Sequence, residues 1–167
     1  MKKILSLCAL LMMLWVVPAV CVADDSNLTD PTVLKAGETF PAGDVTLLNN
    51  STISTSQLKY PAIISVFTTW CAVCKKELPL LNLVLTEARS KNIPLTIVGI
   101  DAGESVNKVS SYQKRQSLDF DLWVDTNLSL IKKLQIKGTP VIMVFNKKGE
   151  LTYQGHRIPG DWQTLVQ

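Results

Sequence analysis

The sequence has a single histidine, His156, and its eight glycines are scattered rather than gathered in one loop. One histidine excludes a metal site built from several imidazoles. The scattered glycines argue against a glycine-rich phosphate-binding loop. The chain also lacks internal repeats and low-complexity tracts, which argues against a solenoid and against a disordered chain. A length of 167 residues is then most simply one globular domain with its own core.

Outside the N-terminal segment, the chain also lacks an excess of charge of one sign. Residues 24–167 carry 15 basic and 14 acidic side chains, so the body of the protein is nearly neutral. Nucleic-acid-binding domains usually have a strong basic excess. We therefore expect no nucleic-acid partner.

The N-terminal segment combines a short positive start with a long apolar run. Lys2 and Lys3 precede an apolar stretch that ends at Pro18, and small residues lead to Ala23. This layout predicts a secretory signal peptide at residues 1–23, cleaved after Ala23. The alternative is an uncleaved membrane anchor, because about 20 apolar residues are enough to span a bilayer. Under both readings the domain folds outside the cytosol, and we expect a bacterial periplasmic location.

Residues 24–37 predict a flexible lead-in, and residues 38–167 form the domain. Short runs of β-branched and aromatic residues alternate with amphipathic segments, which predicts an α/β fold around a mixed sheet. Strands are predicted at Val45–Leu48, Ala62–Phe67, Leu95–Ile100, Phe120–Val124, Val141–Phe145 and Glu150–Gln154. Helices are predicted at Lys75–Lys91, Ser105–Gln116, from a cap at Asp125–Asn127 to about Leu134, and at Asp161–Gln167.

Beyond the predicted signal peptide the chain keeps two cysteines, Cys71 and Cys74. Two thiolates cannot complete a four-ligand zinc site. A disulfide that closes so small a loop stabilises a fold very little, so redox chemistry is the better explanation. The pair lies where a predicted strand gives way to a predicted helix, and a helix N-terminus stabilises a thiolate. We therefore predict that Cys71 attacks a substrate disulfide and that Cys74 resolves the mixed disulfide.

The residues around this pair resemble a known family, the TlpA/ResA-like periplasmic thiol-disulfide oxidoreductases of the thioredoxin superfamily. The matching positions are Trp70, Cys71, Cys74, Lys75, Glu77 and Pro79. Gly138-Thr139-Pro140, just before a predicted strand, is similar to the cis-proline loop that faces the cysteines in that family. The resemblance implies a thioredoxin-like fold, with a central mixed β-sheet flanked by helices. It also implies that Trp70, Thr139 and Pro140 bind the substrate.

Two positions depart from the thioredoxin pattern. Ser65 stands where many thioredoxins have a buried aspartate, six residues before the first cysteine. The resemblance instead points to Glu77 as the catalytic group that relays the proton of the Cys74 thiol. The second departure is Ala72-Val73 between the cysteines, in place of Gly-Pro. These two residues help to set the reduction potential, so the resemblance gives no value for it.

The resemblance favours a reductant of protein disulfides, fed by a membrane electron donor of the DsbD or CcdA type, with apocytochrome c as one candidate client. We expect a monomer that needs no cofactor and no metal. Three alternatives remain. The same atoms would serve a disulfide-forming oxidant. A peroxiredoxin-like peroxidase is suggested by Thr68 before Cys71, although Ile64 stands where that pattern needs proline. A copper(I) chaperone would use both thiolates as soft ligands.

Overall fold

The computed structural model describes residues 31–167, which form one mixed sheet with helices on both faces. The seven strands are β1 (Asp44–Leu47), β2 (Thr52–Ser54), β3 (Ala62–Phe67), β4 (Thr96–Asp101), β5 (Asp121–Val124), β6 (Val141–Phe145) and β7 (Leu151–Gly155). The four helices are α1 (Cys74–Ser90), α2 (Val106–Gln116), α3 (Ser129–Lys133) and α4 (Trp162–Leu165), and a 3₁₀ turn follows β2 at Thr55–Gln57.

The strand order across the sheet is β2-β1-β5-β4-β3-β6-β7. The central strands β3, β4 and β5 run parallel, whereas β6 and β7 at one side and β1 and β2 at the other pair antiparallel. Strand β3 lies between β4 and β6, and all six of its residues are buried. This position explains its nearly continuous apolar sequence.

Two apolar cores lie on the two sides of the sheet. On the side that we call the α1 face, sheet residues pack against α1, α2 and α4; they include Ile63, Phe67, Ile97, Leu122, Ile142 and Val144. On the opposite side, the α3 face, the sheet packs against α3 and the segment before β1; its buried residues include Leu34, Phe40, Ile64, Val98, Leu130 and Phe145. The alternation of strand side chains thus supplies both cores.

All the predicted helices and strands are present within a residue or two of their expected bounds. Ser105 caps α2, with its side chain accepting a hydrogen bond from the backbone N–H of Lys108. The structure adds β2, which no pattern in the sequence predicts. Three residues with the sequence Thr-Ile-Ser are too few to show a period, and only their pairing with β1 defines them as a strand.

Part of the predicted flexible lead-in packs against the domain. The backbone N–H of Val33 donates to the carbonyl of Leu134 at 3.1 Å, and Gln154 Nε2 donates to the carbonyl of Leu34 at 2.9 Å. Leu34 is buried on the α3 face, so ordered packing extends upstream of residue 38. The predicted signal peptide and residues 24–30 lie outside the described residues. Within residues 31–167, none of the helices has the length and apolar character needed to cross a bilayer.

Asp125 holds the start of α3. It is fully buried, and its two carboxylate oxygens accept hydrogen bonds from the backbones of Ser129 at 3.0 Å and Ile131 at 2.9 Å. The sequence placed this helix cap at Asp125–Asn127, and the structure shows that the side chain reaches past the first residue of α3.

We expect Asp125→Ala to lower the free energy of unfolding by about 1–3 kcal/mol, because the partly buried N–H of Ile131 loses its acceptor. Urea denaturation measures this change. Asn127→Ala is the matched control, since exposed Asn127 accepts from the same Ser129 N–H, and should cost less than about 1 kcal/mol. Equal losses in the two variants would contradict the assignment of Asp125 as the main cap.

Candidate active site

Cys71 and Cys74 form a disulfide where the loop after β3 enters α1. Their Cα atoms are 5.2 Å apart. Cys71 retains 7% of its surface exposure, whereas Cys74 is fully buried. Cys71 therefore keeps a small area of contact with solvent, whereas Cys74 keeps none.

At the N-terminus of α1, the Cys71 sulfur takes the place of a conventional side-chain cap. The residue before the helix, Val73, makes no side-chain cap. Instead, the backbone N–H of Cys74 points to Cys71 Sγ at 3.1 Å. The first N–H groups of a helix have no partner within the helix and carry partial positive charge. The same geometry in the reduced protein would stabilise a thiolate on Cys71 and lower its pKa.

The loop before β6 lies against this sulfur. The Thr139–Pro140 peptide bond is cis, as the resemblance implied, and the carbonyl oxygen of Thr139 lies 3.5 Å from Cys71 Sγ. A second cis bond at Tyr60–Pro61 was not predicted.

His156, for which the sequence predicts no role, contacts the loop before β6. Its Nδ1 lies 2.7 Å from the carbonyl oxygen of Pro140. Because a carbonyl oxygen only accepts, this nitrogen carries the proton.

Apolar side chains surround the entrance to the disulfide. Trp70 is 68% exposed and Val73 is 50% exposed, so the tryptophan is not a core residue. Pro140 is buried and Thr139 is half-buried. The structure thus brings the Thr139–Pro140 loop against Cys71, although Thr139 lies 68 residues further along the chain. The role of Trp70, Thr139 and Pro140 in substrate binding stays a prediction.

The two positions that depart from the thioredoxin pattern lie in different surroundings. Ser65 is fully buried on the α1 face, and its hydroxyl makes no hydrogen bond within residues 31–167. Glu77 lies in the first turn of α1 and is half-buried. Its Oε2 accepts from the backbone of Ile158 at 3.5 Å. Its charge also adds to the burial that raises the pKa of Tyr153. Glu77 therefore faces the segment after β7, and its predicted proton role stays a prediction.

Sequence reasoning missed a pair of acids beside the cysteines. Glu104 accepts both the backbone N–H of Thr69, at 2.5 Å, and the Thr69 hydroxyl, at 3.0 Å. Its own backbone N–H donates to Asp101 Oδ1 at 2.7 Å. The available signal was Asp-x-x-Glu directly after a buried strand. Parallel strands end at the same edge of a sheet, so β4 delivers these acids to the edge where β3 delivers the cysteines.

The two acids differ in protonation. Burial raises the pKa of Asp101 to about 7; the Glu104 backbone N–H opposes this rise, and the Glu104 carboxylate adds to it. Burial acts on Glu104 as well, but hydrogen bonds from Lys108 and Thr69 outweigh it and hold its pKa below the usual value. The proton of the pair therefore lies on Asp101, while Glu104 is ionised. In the described part of the chain, no group of three or more His, Cys, Asp and Glu side chains could hold a metal ion.

Comparison with known sequences matches residues 36–154 to the AhpC/TSA family. Among curated relatives, the chain is 25% identical over 123 residues to the thiol-disulfide oxidoreductase ResA of Bacillus cereus, covering 73% of this chain and 70% of that relative. It is 26% identical over 104 residues to ResA of Bacillus subtilis, covering 62% of this chain and 57% of that relative.

Solved structures show the same fold. The thioredoxin domain of a thiol-disulfide oxidoreductase from Bacteroides vulgatus superposes with a TM-score of 0.66 at 18% identity, covering 80% of this chain and 99% of that one. A secreted disulfide oxidoreductase of Mycobacterium tuberculosis, homologous to DsbE, superposes with a TM-score of 0.62 at 20% identity, covering 74% and 93%. The predicted thioredoxin-like fold, a mixed sheet flanked by helices, is therefore confirmed.

Proposed function

The chain belongs to the AhpC/TSA family and is a thiol-disulfide oxidoreductase, and we propose that it works outside the cytosol as a reductant of protein disulfides. The observation that carries the disulfide exchange in this proposal is the asymmetry of the two sulfurs. Cys71 keeps 7% of its exposure and its sulfur accepts the N–H of Cys74, whereas Cys74 is fully buried. One sulfur is therefore suited to meet a substrate and the other to act only after the first has reacted.

The reaction transfers two electrons from the dithiol to the substrate. The Cys71 thiolate attacks one sulfur of the substrate disulfide, and the other substrate sulfur leaves as a thiolate that takes a proton. Cys74 then loses its proton and attacks Cys71 Sγ. This second step forms the Cys71–Cys74 disulfide and releases the remaining substrate sulfur as a thiolate. We assign Glu77 as the group that accepts the Cys74 proton.

The substrate strand would lie along the Thr139–Pro140 loop. The loop approaches Cys71 Sγ through the Thr139 carbonyl, and exposed backbone groups can pair with an extended peptide. Exposed Trp70 would cover the substrate residues beside the reacting cysteine. These contacts use backbone and apolar surface, so they fit many protein substrates.

The direction of electron flow and the location are the finer parts of the proposal. The resemblance to periplasmic reductants and the signal-like residues 1–23 support a reducing role in the periplasm. An electron donor of the DsbD or CcdA type and apocytochrome c as a client belong to the same proposal. We propose a monomer, because one chain supplies both cysteines and the facing loop.

A peroxidase is the alternative that a specific observation favours. Thr68, three residues before Cys71, is buried, and its hydroxyl makes no hydrogen bond within residues 31–167. Peroxide consumption by the reduced protein, with formation of the Cys71–Cys74 disulfide at a rate above that of free thiols, would establish this reading. Against it, Cys74 lies one helical turn away and already bridges Cys71.

We expect Cys74→Ala to accumulate a mixed disulfide with a disulfide-bonded model substrate, because the resolving sulfur is missing. Cys71→Ala should form little or none, since its remaining thiol is buried. Non-reducing electrophoresis followed by mass spectrometry of the linked peptides measures both. Equal trapping by the two variants would refute the assignment of nucleophile and resolving cysteine.

The reduction potential tests the direction separately. We expect the Cys71–Cys74 couple, equilibrated with glutathione buffers, to lie nearer to the value of thioredoxin, about −270 mV, than to that of DsbA, about −120 mV. A value near that of DsbA would make the protein an oxidant. The activity class and the roles of the two cysteines would then stand, and only the direction would be reversed.

A further inference from the structure

Two acids that the proposed reaction does not use, Asp101 and Glu104, lie at the edge of the sheet from which the chain leads to Cys71. Asp101 is the last residue of β4, and its register partner on β3 is Phe67. A Cβ on Gly99 would contact the Phe67 ring, so Gly99 faces the α1 face. Side chains alternate along a strand, and therefore Asp101, two residues later, faces the same side. That side also holds Cys71 and Cys74.

Glu104 links this acid pair to the nucleophile. Its carboxylate takes both hydrogen-bond donors of Thr69, two residues before Cys71. The next turn is closed by the N–H of Cys71, which donates to the carbonyl of Thr68 at 3.2 Å. The position of the Thr69–Cys71 segment thus depends on where the Glu104 carboxylate lies.

Asp101 binds the backbone of Glu104. It is fully buried, its Oδ1 accepts the Glu104 N–H, and its Oδ2 accepts nothing within residues 31–167. An ionised carboxylate in such a place has one oxygen without a donor, whereas a protonated one can donate to the Glu104 carboxylate. The lone oxygen and the neighbouring acceptor both indicate that a proton lies between the two acids.

Within residues 31–167, the groups around Asp101 supply no donor to its Oδ2. On β3 and β5 its register partners are apolar, Phe67 and Val124. From α2, Lys108 faces the pair and forms an ion pair with Glu104, so it acts on Asp101 only through its field. Tyr112 on α2 stacks on Phe67 with ring centroids 5.7 Å apart.

We propose that Asp101 and Glu104 share one proton and act as positioning residues for the Thr69–Cys71 segment, so that the reactivity of Cys71 depends on that proton. When the pair loses the proton to water, it gains a second buried negative charge. A like charge nearby disfavours the Cys71 thiolate, and repulsion between the two carboxylates displaces Glu104 from Thr69. The proposal rests on Cys71 being the attacking sulfur.

The test is the rate of alkylation of Cys71 by iodoacetamide in the reduced protein between pH 5 and pH 9, followed by mass spectrometry. The wild-type profile should contain an inflection near pH 7 in addition to the titration of Cys71 itself. Asp101→Asn replaces the titrating acid with a neutral amide, which imitates the protonated acid. This variant should therefore lack that inflection. It should react within about twofold of wild type at pH 6 and several-fold faster at pH 8 and above.

Two further variants sharpen the test. Glu104→Gln removes the charge that helps to raise the pKa of Asp101, so the extra inflection should move below pH 7. Asp125→Asn is the matched control: Asp125 is equally buried but caps α3, and its profile should keep the wild-type inflection. Superimposable profiles for wild type and Asp101→Asn would overturn the proposal, as would loss of the inflection in Asp125→Asn.

Infrared spectroscopy of the wild-type protein provides a readout that does not depend on any variant folding. A band of a protonated carboxyl group should persist above pH 5 and disappear around pH 7; complete ionisation by pH 5 would overturn the proposal. Both measurements use a small reagent or none, so they are independent of the protein substrate. Failure of the trapping experiment with a preserved inflection would refute the proposed function. Successful trapping without the inflection would refute only the proposed role of Asp101 and Glu104.

Discussion

The hydrogen bond from the Cys74 backbone to the Cys71 sulfur is the interaction on which the site depends. It exists because α1 begins at Cys74, immediately after a turn in which the Cys71 N–H donates to Thr68. A helix that began two residues later would leave the sulfur without this donor. The spacing of two residues between the cysteines matters for the same reason, since it places the second sulfur one turn inward, under the helix.

The sheet assembles the remaining parts of the site from distant segments. Strand β3 leads to the cysteines, β4 leads to Asp101 and Glu104, and the loop before β6 supplies Thr139 and Pro140. Strands β3 and β4 are parallel and β6 is antiparallel to β3. The end of β3, the end of β4 and the start of β6 consequently meet at one edge. Buried apolar residues on both faces fix this arrangement, so the site geometry is a consequence of core packing.

Much of this arrangement was predictable from local patterns. The apolar run of β3 and the helical spacing of α1 placed Cys71 at a strand-to-helix junction, and Gly138-Thr139-Pro140 before another strand indicated the facing loop. The acid pair was not predictable in the same way. Asp101 and Glu104 look like an ordinary loop and helix start, and only the parallel pairing of β3 with β4 shows that they lie beside Thr69. The contact of His156 with Pro140 likewise depends on the antiparallel pairing of β6 with β7.

The most direct measurement of the central claim is the pKa of the Cys71 thiol, read from thiolate ultraviolet absorbance in the Cys74→Ala variant, which keeps the backbone donor and contains one thiol in the domain. Stabilisation by the helix N-terminus predicts a pKa of about 3.5–7.5, below the value of about 8.5 for a free cysteine. A pKa of about 8.5 or higher would show that the helix terminus does not activate this sulfur, and the account would be wrong.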